Sequence, residues 1–192
     1  MISVTITGAD GMPLQDAAVY AVPVNGATDL RAPRKAEIDQ RNKTFVPAVS
    51  VIQTGAAVSF PNSDNIRHQV YSFSPAKVFN IKLYSGRPAE PVVFDKPGIV
   101  VLGCNIHDRM AAWVVVVETP WFASTDARGT ATLDGLPGGD YVLHYWHPGL
   151  QGEPLTRAVQ LGPEAQHEET LQIDAAGLPQ AGHGGHGGLI SP

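Results

Sequence analysis

The stretch Ile99-Val100-Val101-Leu102-Gly103-Cys104-Asn105-Ile106-His107-Asp108-Arg109-Met110-Ala111-Ala112-Trp113-Val114-Val115-Val116-Val117 decides the fold. Two short apolar runs flank a polar loop that holds the chain's single cysteine. Ile99 to Leu102 and Ala111 to Val117 are strand-sized and too short for ordinary helices. Val114 to Val117 is β-branched throughout, which predicts a strand buried on both faces.

Outward from this stretch the same signals repeat. Ile2 to Thr7 alternates apolar and hydroxyl residues, and Ala17 to Val24 reads as its returning strand after the turn at Gly8 to Pro13. Val49 to Ile52, Ala57 to Phe60, His68 to Phe73, Val78 to Tyr84 and Val92 to Phe94 follow. Phe122 to Thr125, Thr130 to Leu133 and Tyr141 to Trp146, separated by Asp126-Ala127-Arg128-Gly129 and Pro137-Gly138-Gly139-Asp140, look like successive hairpins. Thr156 to Leu161 and Glu169 to Ile173 complete the set. Asn25 to Pro33 reads as loop, and Arg34-Lys35 as solvated surface. No stretch sustains a 3.6-residue apolar period for three turns. Roughly fourteen short strands at this spacing predict an all-β chain of two β-sandwiches.

Composition agrees. The chain has 192 residues with 20 Gly and 16 Pro, enough for many tight turns and for one large or two small domains. Its net charge of -5 argues against a nucleic-acid binder, which needs a basic stripe. No apolar run approaches the ~18 residues of a membrane helix. One cysteine excludes an intrachain disulfide and an all-cysteine metal site. No basic flank and apolar run of an export signal opens the sequence, so the chain is either cytoplasmic or already processed.

The loop has the pattern Cys104-x2-His107-x2-Met110. A thiolate, an imidazole and a thioether on one tight loop form a soft ligand set, and such sets select copper. With 7 His and 3 Met in the chain, His at +3 and Met at +6 from a given Cys arise by chance about 6 times in 10,000. A second imidazole is needed for a trigonal site, and His68, opening a separate strand, is the candidate. Two other readings of the cysteine compete: a small buried hydrophobe, or a nucleophile activated by His107 with Asp108 as orienter. The latter lacks an oxyanion-hole motif.

The loop resembles that of cupredoxins, with spacings similar to the short ligand loop of amicyanin. The resemblance covers about residues 35 to 118 and implies a Greek-key copper domain, with His68, Cys104 and His107 as equatorial ligands of one type 1 copper and Met110 as the axial one. It also implies that Asn62, six residues before His68, ties the two ligand loops together. Asp108-Arg109 departs from the family's apolar residues at that point, and Asp108 is expected to lower the potential somewhat. The flanks resemble a transthyretin-like, carboxypeptidase-regulatory-like domain in Asp10-Gly11-Met12-Pro13-Leu14, Thr125-Asp126-Ala127-Arg128-Gly129 and Leu136-Pro137-Gly138-Gly139-Asp140-Tyr141. The domain boundaries implied are 1–25 with 119–174 for this sandwich and 26–118 for the inserted copper domain. The whole chain resembles bacterial methylamine utilisation proteins. Residues 175–192 read as a disordered Gly/His tail.

His144 and His147 stand three apart on a strand, hence on opposite faces, and read as packing residues, as does Trp146. His183 and His186 read as solvated tail. The function expected is one-electron transfer with an unidentified redox partner protein, without enzymatic activity, since no second histidine cluster exists for a catalytic copper. Copper delivery or storage, supported by the tail histidines, and a non-redox adaptor are the competing functions. The cupredoxin resemblance implies a periplasmic location.

Overall fold

The computed structural model describes residues 1–25, 33–88, 90–105, 110–162 and 165–175, and the described chain is all-β. The first nine strands are β1 (Ile2–Gly8), β2 (Ala18–Pro23), β3 (Ala36–Glu37), β4 (Asp39–Arg41), β5 (Thr44–Val46), β6 (Val49–Gln53), β7 (Ala56–Ser59), β8 (His68–Ser74) and β9 (Lys77–Tyr84). They are followed by β10 (Val92–Phe94), β11 (Gly98–Gly103), β12 (Ala111–Val117), β13 (Phe122–Ser124), β14 (Thr130–Leu133), β15 (Gly139–Trp146), β16 (Leu155–Leu161) and β17 (His167–Ile173). No helix among these residues is long and apolar enough to cross a membrane.

Four sheets stack as layers, in the orders β14-β1-β17, β13-β2-β15-β16, β6-β12-β11-β8-β9 and β10-β7-β3. Side-chain alternation builds the apolar material between them. Ile2, Val4 and Ile6 of β1 meet Val19 and Ala21 of β2 and Tyr141, Leu143 and Tyr145 of β15 in the first core. The second core joins Val70, Val100, Leu102, Ala112, Val114 and Val116 to Val58, Phe60 and Phe94. Between the two middle sheets lies a thinner layer of Ala18, Val49, Val115, Val117 and Trp146. Val114 and Val116 thus enter one core while Val115 and Val117 enter another layer. That double burial is why the run carries no polar residue.

The expected pairings of β1 with β2, of β13 with β14 and of β14 with β15 do not occur. β1 pairs with β14 and β17, whereas β2 pairs with β13 and β15. All three connections are arches that carry the chain from one sheet to the facing one. The apolar faces of β1 and β2 must look at each other across a core, which neighbours in one sheet cannot do. The arches lock together: Leu14 N–H donates to Ile6 O, Ile6 N–H to Gly129 O, and Thr125 N–H to Ala17 O. Gly129 sits here at φ 73°, and a Cβ on it would stand 2.3 Å from Ile6 O.

A further difference is the β4–β5 hairpin, paired from Asp39↔Val46 to Arg41↔Thr44, in a segment where no strand was expected. Its turn residues Asn42 and Lys43 both have positive φ, 51° and 58°, the conformation that matches a tight hairpin to the strand twist.

Candidate metal centre

His68 is the first residue of β8, and Cys104 follows the last residue of β11. These strands are neighbours, joined at Gly103↔Tyr71, so the two side chains arrive at one end of the same sheet. A register shift between His68 and Val70 marks a bulge with one extra residue on β9, and bulges of this kind re-aim a side chain locally. His68 is fully buried, and its Nδ1 lies 3.8 Å from Cys104 Sγ. Met110, opening the return to β12, is buried in the same core as Cys104.

The other ring nitrogen is held by a residue that sequence reasoning missed. His68 Nε2 stands 2.7 Å from Asp64 Oδ2. An ionised carboxylate only accepts, so Nε2 carries the proton and, in the neutral ring, Nδ1 presents its lone pair toward the sulfur. Asp64 is itself fixed by backbone donors from the β4–β5 turn, Asn42 N–H to Oδ1 at 2.6 Å and Lys43 N–H to Oδ2 at 2.9 Å. Burial raises the Asp64 pKa, but the bonds from Lys43, His68 and Asn42 outweigh it and hold the carboxyl below its ordinary range. A carboxylate four residues before a histidine, inside a turn-forming run, was the available signal. Turn chemistry explained that run well enough to hide it.

Asn62 is bonded within its own loop and to β9. Its Nδ2 donates to Ile66 O and Tyr84 O, both at 2.9 Å, and its Oδ1 accepts from Asp64 N–H at 3.0 Å. These bonds close its own loop onto β9; residues 106–109 of the Cys104 loop, which it is expected to tie in, lie outside the described residues. The Asn62 side chain is itself buried, so its amide takes the partners within reach, two carbonyls and one N–H. Next to it, Gln40 donates to Pro61 O, and Tyr84 donates to Phe60 O. Burial pushes the Tyr84 phenol up to about 12, aided by the charges of Asp39 and Cys104 and opposed by the Gln40 hydrogen bond.

The spacing can be tested against a shared metal. First-row metal bonds of about 2.0–2.1 Å to nitrogen and about 2.3 Å to thiolate, opened to a trigonal angle, separate N and S by about 3.7 Å. The 3.8 Å between His68 Nδ1 and Cys104 Sγ fits that requirement. No set of three His, Cys, Asp or Glu side chains able to hold a metal occurs among the described residues. His107 and Asp108 lie outside the described residues, as do His183 and His186.

The remaining histidines are engaged elsewhere. His144 stacks on Tyr20 with ring centroids 4.7 Å apart, and burial pushes its pKa down. His147 is buried just past β15 and accepts from Gly149 N–H at 3.1 Å. Trp146 is part of the layer between the middle sheets.

No family model matches the chain, and no curated protein does. Among solved structures it is similar over 50% of its length to a Cu-containing nitrite reductase (NirK) from Thermus scotoductus, at 24% identity and TM-score 0.42, spanning 25% of that enzyme. A purple cupredoxin from Nitrosopumilus maritimus aligns over 43% of this chain and 99% of its own, at 23% identity and TM-score 0.39. An oxidised amicyanin mutant aligns over 51% and 99%, at 15% identity and TM-score 0.39.

Proposed function

We propose that the chain is a mononuclear copper protein of the cupredoxin type that carries single electrons, with His68, Cys104, His107 and Met110 as the residues that would hold the copper. The observation that carries this reading is the His68 Nδ1 to Cys104 Sγ approach of 3.8 Å with Nε2 tied to Asp64. Copper bound there would supply reversible one-electron chemistry. The protein's part is to keep the donors still. His68 and Cys104 are both buried at one sheet end, so neither moves far when charge changes, and the Asp64 bond fixes the imidazole tautomer.

In this reading the protein is a carrier rather than a catalyst, working beside a redox partner in an exported, periplasmic setting. The transthyretin-like sandwich of 1–25 and 119–174 frames the copper domain of 26–118, as the likeness of the two flanks to a transthyretin-like, carboxypeptidase-regulatory-like domain implies. Loading the full chain with Cu(II) and recording visible and EPR spectra tests the site. The expected result is an intense thiolate-to-Cu(II) band that is lost in Cys104→Ser. A colourless copper complex, or a band that survives the substitution, overturns it.

A further inference from the structure

The outer face of the sheet β6-β12-β11-β8-β9 is largely apolar, interrupted by the hydrogen-bonded Gln69–Asn80 pair, and among the described residues only part of it is covered. Over β6 and β12 it packs against the neighbouring sheet through Val49, Val115, Val117 and Trp146. Ile99 at the start of β11 still packs against that layer, but over β8, β9 and the Val101 end of β11 the face is open among the described residues. There Phe73 is 76% exposed, Val78 65% and Val101 45%. Phe73 and Val78 are directly paired, as are Tyr71 and Asn80, and Tyr71 and Gly103, so these residues share one face. Tyr71 and Phe73 form a tilted aromatic pair at 5.1 Å.

This bare half adjoins the candidate centre. The Tyr71 ring lies on Gly103, close enough that a Cβ there would sit 2.8 Å from its Cζ and Oη. Gly103 directly precedes Cys104. A groove of about 520 Å³ runs between the two, lined by Tyr71, Phe73, Val101, Cys104, Asn105 and Met110.

The surrounding charge says what kind of surface would sit here. The chain has a net charge of -5, yet residues 67–97 carry Arg67, Lys77, Lys82, Arg87 and Lys96 against only Glu90 and Asp95. Lys77 is paired with Asp95, and Arg87 with Glu37. Arg67, Lys82 and Lys96 are exposed and make no ion pair among the described residues. An apolar centre inside a cationic rim is complementary to an apolar patch ringed by carboxylates.

We infer that the Tyr71–Phe73–Val78–Val101 face is the docking surface for a separate, acidic-rimmed redox protein. The redox character of that partner rests on the copper reading above; the docking face itself rests on the exposed sheet and its charge. A partner seated there would be one residue from the thiolate, a shorter approach than any through the second sandwich.

The test uses the soluble haem domain of cytochrome b5, an acidic electron carrier, as the probe. It is titrated into the isotope-labelled full chain, with and without copper, and followed by NMR. Amides of 71–73, 78–82 and 101–103 should shift together. The affinity should fall about tenfold or more as salt rises from about 20 to about 200 mM. Phe73→Asp and Lys82→Glu should each weaken binding about tenfold, while Val24→Asp, at another exposed apolar residue, should not. Shifts that map elsewhere, or equal losses from all three variants, overturn the inference. So does self-association through the same amides without the probe, detected by sedimentation, which would make a second copy the occupant. Binding at this face by a chain that takes up no copper would keep the docking surface and remove the copper function. A copper-loaded chain that ignores the probe would do the reverse.

Discussion

His68 Nε2 and Asp64 Oδ2 are bound at 2.7 Å, so the carboxylate four residues earlier decides which ring nitrogen faces Cys104. The same carboxylate receives Asn42 N–H and Lys43 N–H. Three donors thus converge on two oxygens. The β4–β5 turn thereby orients a side chain it never touches.

Asp64→Asn tests that chain of contacts. An amide offers one acceptor oxygen and two donors, so its NH2 faces Asn42 N–H in one orientation and both Lys43 N–H and His68 Nε2–H in the other. The expected result is a 10- to 100-fold loss of copper affinity, the usual cost of removing an outer partner of a ligating histidine. Competition against a chelator of known affinity measures it. Unchanged affinity would show that β8 alone orients His68.

Asp39 anchors the other end of the same hairpin. Burial raises its pKa, but bonds from the Ser63 hydroxyl, Arg41 and Gln40 N–H outweigh that and hold it below its ordinary 3.8. The unfolded carboxyl therefore binds its proton first as pH falls, and the stability Asp39 contributes is present above about 3.8 and drains away below it. Urea midpoints measured from pH 6 down to about 2.5 should decline more steeply for the native chain than for Asp39→Asn. Parallel curves would assign the acid limb to other carboxylates.

Gly103→Ala should destabilise the fold by up to about 1 kcal/mol, because the new methyl displaces the tip of the half-exposed Tyr71 ring and no backbone. The contact would be 2.8 Å. Combining it with Tyr71→Leu, which removes the ring, should recover most of the loss in denaturant unfolding. A double variant as unstable as the sum of the single ones would place the strain in the Gly103 backbone instead.

Much of this architecture was legible in the sequence, because strands that bury one face alternate and a strand that buries two does not. β1 and β12 are the clearest cases, with burial patterns matching their side-chain patterns. The pairing of those strands was less legible. A turn such as Asp126 to Gly129 announces a reversal, but whether the chain returns within its sheet or arches to the next depends on the core it must face. The β4–β5 hairpin escaped for a different reason. Asp39, Gln40 and Arg41 carry no apolar signal, and their order comes from hydrogen bonds to the loop of Asn62, Ser63 and Asp64. At the candidate centre, Cys104 and His68 were recognisable by residue type and spacing. Asp64 was not, since its role exists only once the distant turn at Asn42 and Lys43 has folded against it.

Trp146 offers a test of whether the four layers behave as one body. It is 5% exposed and packs with Ala18, Val49, Val115 and Val117, residues from both middle sheets. Replacing a buried tryptophan by alanine removes the transfer free energy of the indole and leaves a cavity that a rigid sheet pair cannot close, at a cost of about 3–5 kcal/mol. Trp146→Ala should therefore lower the urea midpoint strongly, with Trp146→Phe intermediate. Because the joint lies outside both main cores, far-ultraviolet circular dichroism should report a smaller initial amplitude of unfolding than calorimetry expects for one transition. A loss under about 1 kcal/mol would mean that the middle sheets yield and refill the space. The two sandwiches would then be coupled by their connecting chain rather than by Trp146.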